Sequence, residues 1–331
     1  MPAITPYELR DAILSAIEDS GCSGVLVSSA RAHPRKFVVT LPDDSTTVLW
    51  VYAWTLTHGG RPSLPNEYRI QMTTVSSPLA FNPLGPTVLM GYEPSLRLFA
   101  GFDMQRHRTF TTGSPSVQID INIVRNALQD GITFDRKSND EIAIGIRPDQ
   151  FVDYVSAAEH LHKYGAQPAT FRLLQKATSL QDITEPDVAA LAEPRRRIVQ
   201  TVSRLSRKAN FKQQVLQAYD RRCAVTRVQL RLVDAAHILP VGAVDSADVI
   251  NNGLALSPTY HRAFDNGLIY LTENREMRIN PVKMADLQAL RLDGGIDMFK
   301  APLGKILLPP DRAQWPKKDF IRKANAFRGI A

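Results

Sequence analysis

The chain has 331 residues, of which 44% are hydrophobic and 22% are charged, and its formal net charge is +7. This length suffices for two domains that each bury a core. The sequence contains no run of about 18 apolar residues and no basic segment at its start, which argues against a transmembrane helix and a secretory signal peptide.

The cysteine content indicates the compartment. Cys22 and Cys223 are too few for a cysteine zinc site or a disulfide framework. We therefore expect a cytoplasmic protein with no membrane partner.

The first expected element is a helix over residues 6–20, with Thr5 as its N-cap and Pro6 at its first position. From about residue 24 to 125, short β-type runs alternate with Gly and Pro turns, which predicts a mainly β domain. One run, VLWVYAWTL, places Trp50, Tyr52 and Trp54 on one face of a strand. That aromatic face fits either a core layer or a platform for stacking bases.

A second helix is expected over residues 149–165, with Gly165 as the glycine that follows its end. Residues 166–198 mix helix-forming pieces with the Pro and charge clusters ITEPD and AEPRRR, a composition typical of a connector. The sequence thus predicts an N-terminal domain over 1–165, a helical linker over 166–198 and a C-terminal domain over 199–331.

Positive charge is concentrated at the start of that second domain. The segment from Arg195 to Arg231 holds nine Arg and two Lys against one acidic residue, Asp220, a net charge of +10. The remainder of the chain therefore sums to about −3. This distribution favours a polyanionic partner, although a solvated helix face gives the same pattern. Within the segment, a helix is expected with its apolar positions at Phe211, Val215, Leu216 and Tyr219.

Three polar residues follow in a distinctive order: His237 in AAHILP, Asn252 in NNGLALS and His261 in TYHRAFD. With their flanking residues, they resemble the HNH nuclease family in the branch with the signature AHI.P, then NGL.LS..YH..FD. The resemblance covers about 50 residues and the basic helix before them. It implies a ββα unit that binds one divalent metal. Together with the mainly β N-terminal domain and its flanking helices, this unit predicts an α+β protein.

The resemblance also implies roles for the three residues. His237 would be the general base, since a neutral imidazole accepts a proton from water near pH 7. Asn252 would hold the loop before the helix and orient His237. His261 would be a metal ligand.

Four aspartates are candidates for the remaining metal ligands. Asp265 follows His261 by four residues and shares its helix face. Many HNH members carry an acidic residue or a histidine directly before the general base, where this chain has Ala236. Asp234 lies on the same side of an extended strand as Ala236 and is the candidate ligand, the alternative being a solvent-exposed strand start. Asp245 and Asp248 are weaker candidates.

Such a set of nitrogen and oxygen ligands suits Mg²⁺ or Mn²⁺. The expected partner is double-stranded DNA, with a homodimer on DNA as a further possibility for double-strand cleavage. Six basic residues are expected to contact phosphates: Arg204, Arg207, Lys208, Lys212, Arg221 and Arg222.

Two stretches of the first domain, residues 58–71 and 89–108, resemble the N-terminal region of some restriction-type nucleases. This implies recognition of a DNA sequence or of a modified base. The leading hypothesis is a metal-dependent restriction-type endonuclease. The alternatives are a modification-dependent (type IV) enzyme, a defence nuclease activated by a signal molecule, and a non-catalytic DNA-binding protein.

Overall fold

The computed structural model describes residues 4–111, 115–181, 183–230 and 232–330. The chain divides into two compact units, unit 1 (Met1–Ala209) and unit 2 (Asn210–Ala331). Arg231, the last residue of the basic segment, lies outside the described residues. In the described part of the chain, no helix has the length and apolar character needed to cross a membrane.

The N-terminal part of unit 1, up to Gly165, is β-rich with flanking helices, as the sequence predicted. The strands of unit 1 are β1 (Ser23–Leu26), β2 (Arg35–Thr40), β3 (Thr46–Thr55), β4 (Thr57–His58), β5 (Glu67–Gln71), β6 (Thr87–Glu93), β7 (Leu98–Phe102), β8 (Ser116–Asp120), β9 (Ile132–Arg136) and β10 (Ile142–Ile146). Its helices are α1 (Pro6–Asp19), α2 (Ile121–Asp130), α3 (Phe151–Gly165), α4 (Pro168–Thr178), α5 (Glu185–Ala189) and the first part of α6 (Glu193–Ala218).

The strands form a large sheet in the order β1-β2-β3-β6-β7-β10-β9 and a smaller sheet in the order β4-β5-β8. Within the large sheet, β3 and β6 run parallel and the other neighbours are antiparallel. Strand β3 is buried on both faces, which is typical of a strand in the middle of a covered sheet.

The two faces of β3 belong to different cores. Leu49, Val51 and Ala53 pack in the core that includes α1 and α3. Tyr52 and Trp54, which are 3% and 8% exposed, pack in the core on the opposite side of the sheet. The core-layer interpretation of the aromatic face is therefore confirmed for these two residues, and the stacking platform is excluded for them.

The start of α1 agrees with the sequence prediction, and the end of α3 differs from it. Helix α1 begins at Pro6, and Thr5 and Glu8 form a capping box. Gly165 is the last residue of α3 and does not adopt a left-handed conformation. A Cβ atom there would lie 2.7 Å from Ile142 Cδ1, so α3 packs closely on the sheet at this glycine.

Residues 166–198 fold as α4, α5 and the first residues of α6. Several of their apolar side chains are part of the unit 1 core, in which Leu174 is fully buried and Leu173 is 8% exposed.

Unit 2 begins in the second part of α6 and contains the ββα arrangement. Its further elements are β11 (Asp234–His237), β12 (Gly253–Leu256), α7 (Pro258–Asp265), β13 (Ile269–Leu271), β14 (Glu276–Ile279), α8 (Pro281–Ala289), α9 (Ile296–Lys300), β15 (Gly304–Lys305) and α10 (Lys318–Phe327). Strands β11 and β12 pair antiparallel, with His237 opposite Gly253, and α7 follows β12 directly. The predicted ββα unit is thus present.

Helix α6 supports this unit from one side. Phe211, Val215 and Tyr219 are 2% exposed or less and belong to the unit 2 core, as the sequence predicted. Gly253 lies against them, since a Cβ at this position would lie 2.3 Å from Val215 Cγ2. The glycine therefore allows β12 to approach α6 next to the residue paired with His237.

Candidate active site

His237 is the last residue of β11, and its imidazole has two close neighbours. The ring of Phe211 stacks on it, with the ring centroids 3.9 Å apart and the planes at 11°. On its edge, Nε2 lies 2.8 Å from Oδ1 of Asp248. The ring plane and one nitrogen are thereby fixed, while 17% of the side chain stays exposed.

The Asp248 contact determines which nitrogen of His237 can act as a base. An ionised carboxylate only accepts hydrogen bonds, so Nε2 carries the proton and donates it to Oδ1. In the neutral ring Nδ1 then has a free lone pair. A carboxylate that orients a histidine in this way also stabilises the imidazolium formed when the ring takes up a proton.

Asn252 is fully buried and holds the loop that follows His237. Its Oδ1 accepts from the Leu239 amide at 2.8 Å, and its Nδ2 donates to the carbonyls of Leu239 and Ala247 at 3.2 and 3.0 Å. The Asn252 carbonyl accepts from the Ile238 amide at 2.8 Å. One side chain thus closes the loop from 238 to 252 and fixes the backbone directly after His237.

His261 lies on α7 between two carboxylates. Oδ2 of Asp265 is 3.3 Å from Nε2, which confirms that these two residues share a helix face. Oδ2 of Asp234, on β11, is 3.8 Å from Nδ1. The approach of His261 holds the pKa of Asp234 below its ordinary value, and Asp234 in turn raises the pKa of His261, in both cases against the effect of burial.

The two carboxylates approach opposite nitrogens of the same ring. A single cation can therefore bind His261 together with Asp234 or together with Asp265, but not with both while the ring keeps this orientation. No group of three or more His, Cys, Asp or Glu side chains with metal-binding geometry occurs among the described residues.

Asp234 and His261 fit a divalent cation by the chemistry of their donors. A carboxylate and an imidazole supply one oxygen and one nitrogen from different elements, β11 and α7. Mg²⁺ is commonly held by one or two carboxylates, with water and substrate phosphate completing its coordination, and Asp234 supplies such a carboxylate. Asp265 is then placed to accept a hydrogen bond from Nε2–H, which would direct Nδ1 to the cation.

Five of the six basic residues predicted to bind DNA are exposed: Arg204, Arg207, Lys208, Arg221 and Arg222. Lys212 is partly exposed, and its charge contributes to the lowered pKa of Asp234. Arg222 also forms an ion pair with Asp220 at 3.1 Å. These positions are compatible with phosphate contacts.

Several polar side chains of unit 1 that would suit DNA contacts instead have partners within the unit. Arg61 pairs with Glu67, and Nε2 of His107 lies 2.7 Å from Oε1 of Glu141. Burial would raise the pKa of Glu141, but the contacts with His107 and Lys137 lower it to about 2. The contact between His107 and Glu141 therefore belongs to the internal packing of unit 1.

Sequence reasoning missed Phe211 and the role of Asp248. Phe211 was expected only as an apolar position of the basic helix, and Asp248 only as a weak metal candidate. The acidic residues between His237 and Asn252 are the available signal in the sequence. Asp245, the other carboxylate of that loop, pairs with Lys323 at 2.9 Å.

Two family models match the chain. Residues 47–155 match the model described as Methylase-associated X1, and residues 223–272 match the model described as HNH endonuclease. The second match contains the candidate residues from Asp234 to Asp265, whereas the N-terminal match lies within unit 1. The resemblance drawn from the His–Asn–His set is thus confirmed.

No curated protein matches the chain. A solved structure described as a modification-dependent TagI restriction endonuclease aligns with 84% of this chain and 80% of its own, at 14% identity and a TM-score of 0.27. This TM-score is too low to establish a common overall fold.

Proposed function

Because unit 2 contains an HNH endonuclease domain, we propose that the protein is a metal-dependent DNA endonuclease of restriction type with His237 as its general base. The observation that carries the proposal is the orientation of the His237 ring by Asp248 and Phe211 at the end of the first strand of the ββα unit. A packing histidine has no need of a carboxylate that fixes its tautomer.

His237 would activate the water that attacks the scissile phosphorus. Nδ1 of the neutral ring takes the water proton as the bond to phosphorus forms, and Asp248 stabilises the resulting imidazolium through Nε2–H. Asn252 and Phe211 keep the ring in place during this transfer. General base catalysis of this kind contributes about 10²–10⁴ in rate.

Asp234 and His261 would hold the divalent cation, with Mg²⁺ or Mn²⁺ as the expected ion. When bound, the cation supplies Lewis-acid stabilisation of the charge that develops on the phosphate and on the departing oxygen. Asp265 would orient His261 through Nε2–H, as carboxylates commonly do for histidine ligands.

Double-stranded DNA is the proposed substrate. The basic residues of α6 and the turn after it would contact phosphates and position the duplex without reading its sequence. A single ββα site cuts one strand, so cleavage of both strands would require two protomers on the DNA. A cytoplasmic location remains a prediction.

Unit 1 would supply the choice of target. The Methylase-associated X1 model matches 109 of its residues, 47–155, and the description of this family links it to methylases. That link supports a restriction function in which DNA methylation distinguishes the target. The buried Tyr52 and Trp54 take no part in base stacking in this proposal.

The test is cleavage of one plasmid prepared unmethylated and methylated, with Mg²⁺, with Mn²⁺ and with a chelator. We expect cleavage that needs the metal and differs between the two plasmid preparations. Cleavage of the methylated plasmid alone identifies a modification-dependent enzyme, and cleavage of the unmethylated plasmid alone identifies an enzyme that a methylase blocks. Equal cleavage of both preparations, or cleavage with the chelator present, contradicts the proposal.

A further inference from the structure

Arg328 follows α10, more than 50 residues after the end of the HNH match, yet its side chain lies within the ββα unit. Nη1 donates to the carbonyl of Ile238 at 2.9 Å. Its guanidinium carbon lies 4.4 Å from the centroid of the Phe264 ring. One side chain thus contacts both the residue after His237 and the residue before Asp265.

These two contacts join the halves of the candidate site. Ile238 directly follows the strand that carries His237, and Phe264 belongs to the helix that carries His261. A planar guanidinium can stack on a ring and donate a hydrogen bond in its own plane at the same time. A lysine ammonium lacks that plane.

Helix α10 holds Arg328 in this position. Ile321 and Ala324 are buried in the unit 2 core at 0% and 1% exposure. The Lys317 amide donates to the carbonyl of Asn251 at 3.1 Å, and Lys323 pairs with Asp245. Arg328, Lys317 and Lys323 thus contact the loop from 238 to 252 at three points. The first two contacts lie near its ends, at Ile238 and Asn251, and the third lies between them, at Asp245.

The burial of Arg328 has a cost. Among the described residues, its Nε and Nη2 atoms are buried without a hydrogen-bond partner, and burial lowers its pKa despite the nearby Asp265 carboxylate. Buried donors without partners are destabilising. An apolar side chain at position 328 would avoid this cost. The arginine is therefore better explained by the contacts that its guanidinium makes with Ile238 and Phe264.

We propose that Arg328 is a positioning residue for His237, acting through the Ile238 carbonyl and the Phe264 ring. It fixes the end of β11 against α7, so that the base and the proposed metal ligands keep their separation. The inference rests on the proposed nuclease function and adds to it a residue outside the HNH motif.

The test compares Arg328→Ala and Arg328→Lys with wild type in single-turnover plasmid nicking at saturating protein, which separates chemistry from binding. We expect both variants to bind DNA with wild-type affinity when metal is absent. Their cleavage rates should fall by about tenfold or more, since small displacements of catalytic groups have effects of this size. Guanidinium ion added to Arg328→Ala should restore part of the rate, and methylammonium of equal charge should not.

Arg322→Ala is the matched control, because Arg322 is an exposed arginine of α10 whose side chain pairs with Asp319 at 3.8 Å. It should cut at the wild-type rate. A wild-type rate in Arg328→Lys overturns the inference, and so does a rate loss accompanied by an equal loss of DNA affinity. Should Arg328→Ala fail to fold in a melting experiment, the lysine variant decides alone. Cleavage by wild type and its loss in His237→Ala test the nuclease function separately.

Discussion

Asp248 accepts a hydrogen bond from Nε2 of His237 at 2.8 Å across a loop of ten intervening residues. This contact makes Nδ1 the nitrogen that can take a proton. Its effect on catalysis is therefore expected to exceed its effect on stability, because both side chains are partly exposed.

Replacing Asp248 by Asn tests that contact. The amide can present its NH₂ group to Nε2 and so favour the wrong tautomer of His237, as is known for serine protease triads. We expect the single-turnover cleavage rate to fall by about 10²-fold or more, with DNA affinity unchanged. Asp286→Asn, which alters an exposed carboxylate on α8, is the control. A wild-type rate in Asp248→Asn would show that the contact has no catalytic role.

The positions of Asp234 and Asp265 at opposite nitrogens of His261 predict unequal effects on metal use. Asp265→Asn should raise the Mn²⁺ concentration at half-maximal cleavage by about tenfold, as expected for loss of a carboxylate that orients a ligand. Asp234→Asn should raise it further, because it removes a proposed ligand. The measurement is a Mn²⁺ titration of plasmid nicking, and a larger shift for Asp265→Asn would reverse the two assignments.

The exposed arginines and lysines of the basic segment predict a steep salt dependence of DNA binding. If about five phosphates are contacted, the plot of log affinity against log salt concentration should have a slope near −4.5. Arg207→Gln and Arg221→Gln should each make the slope shallower by about 1. Fluorescence anisotropy with a duplex at several salt concentrations gives the slope, and a value near zero would exclude this segment as the DNA contact.

The buried His162 is expected to make the stability of unit 1 fall as the pH is lowered. Burial lowers its pKa to about 4, against the opposing charges of Asp103 and Glu141, and the ring lies 3.0 Å from the Tyr154 hydroxyl and 3.1 Å from the Ile142 carbonyl. The folded protein keeps the ring neutral, whereas the unfolded chain protonates it below about pH 6.5. Its contribution to stability is therefore complete above pH 6.5 and is lost as the pH falls towards 4.

The expected loss from this residue is about 2 kcal/mol between pH 7 and pH 5. Urea unfolding at both pH values measures it, with His162→Gln as the comparison, because glutamine does not titrate. The variant should be less stable at pH 7 but should lose about 2 kcal/mol less than wild type on acidification. Equal losses in the two proteins would show that His162 does not titrate in this range.

The sequence predicted what depends on local pattern. Thr5 and Pro6 mark the start of α1 because capping is a property of adjacent residues. The pairing of His261 with Asp265 follows from helical spacing. The ordered His, Asn and His residues carry the family resemblance that predicts the ββα unit.

What the sequence left open depends on contacts between distant residues. The loop after His237 can bring either Asp245 or Asp248 to the imidazole, and its conformation is set by Asn252 and by α10. Arg328 reaches Ile238 from 90 residues further along the chain. The frequency of glycine after helix ends predicts Gly165 beyond the end of α3, whereas Gly165 is the last residue of the helix and packs closely against Ile142. Periodicity carries no information about such contacts.

The most direct test of the account is single-turnover plasmid cleavage by His237→Ala with Mg²⁺ or Mn²⁺, alongside DNA binding in the absence of metal. Removing the base should abolish cleavage within the sensitivity of the assay, and DNA affinity should remain that of wild type, because His237 acts on water and not on DNA. Cleavage by the variant at the wild-type rate would contradict the assignment of His237 as the general base.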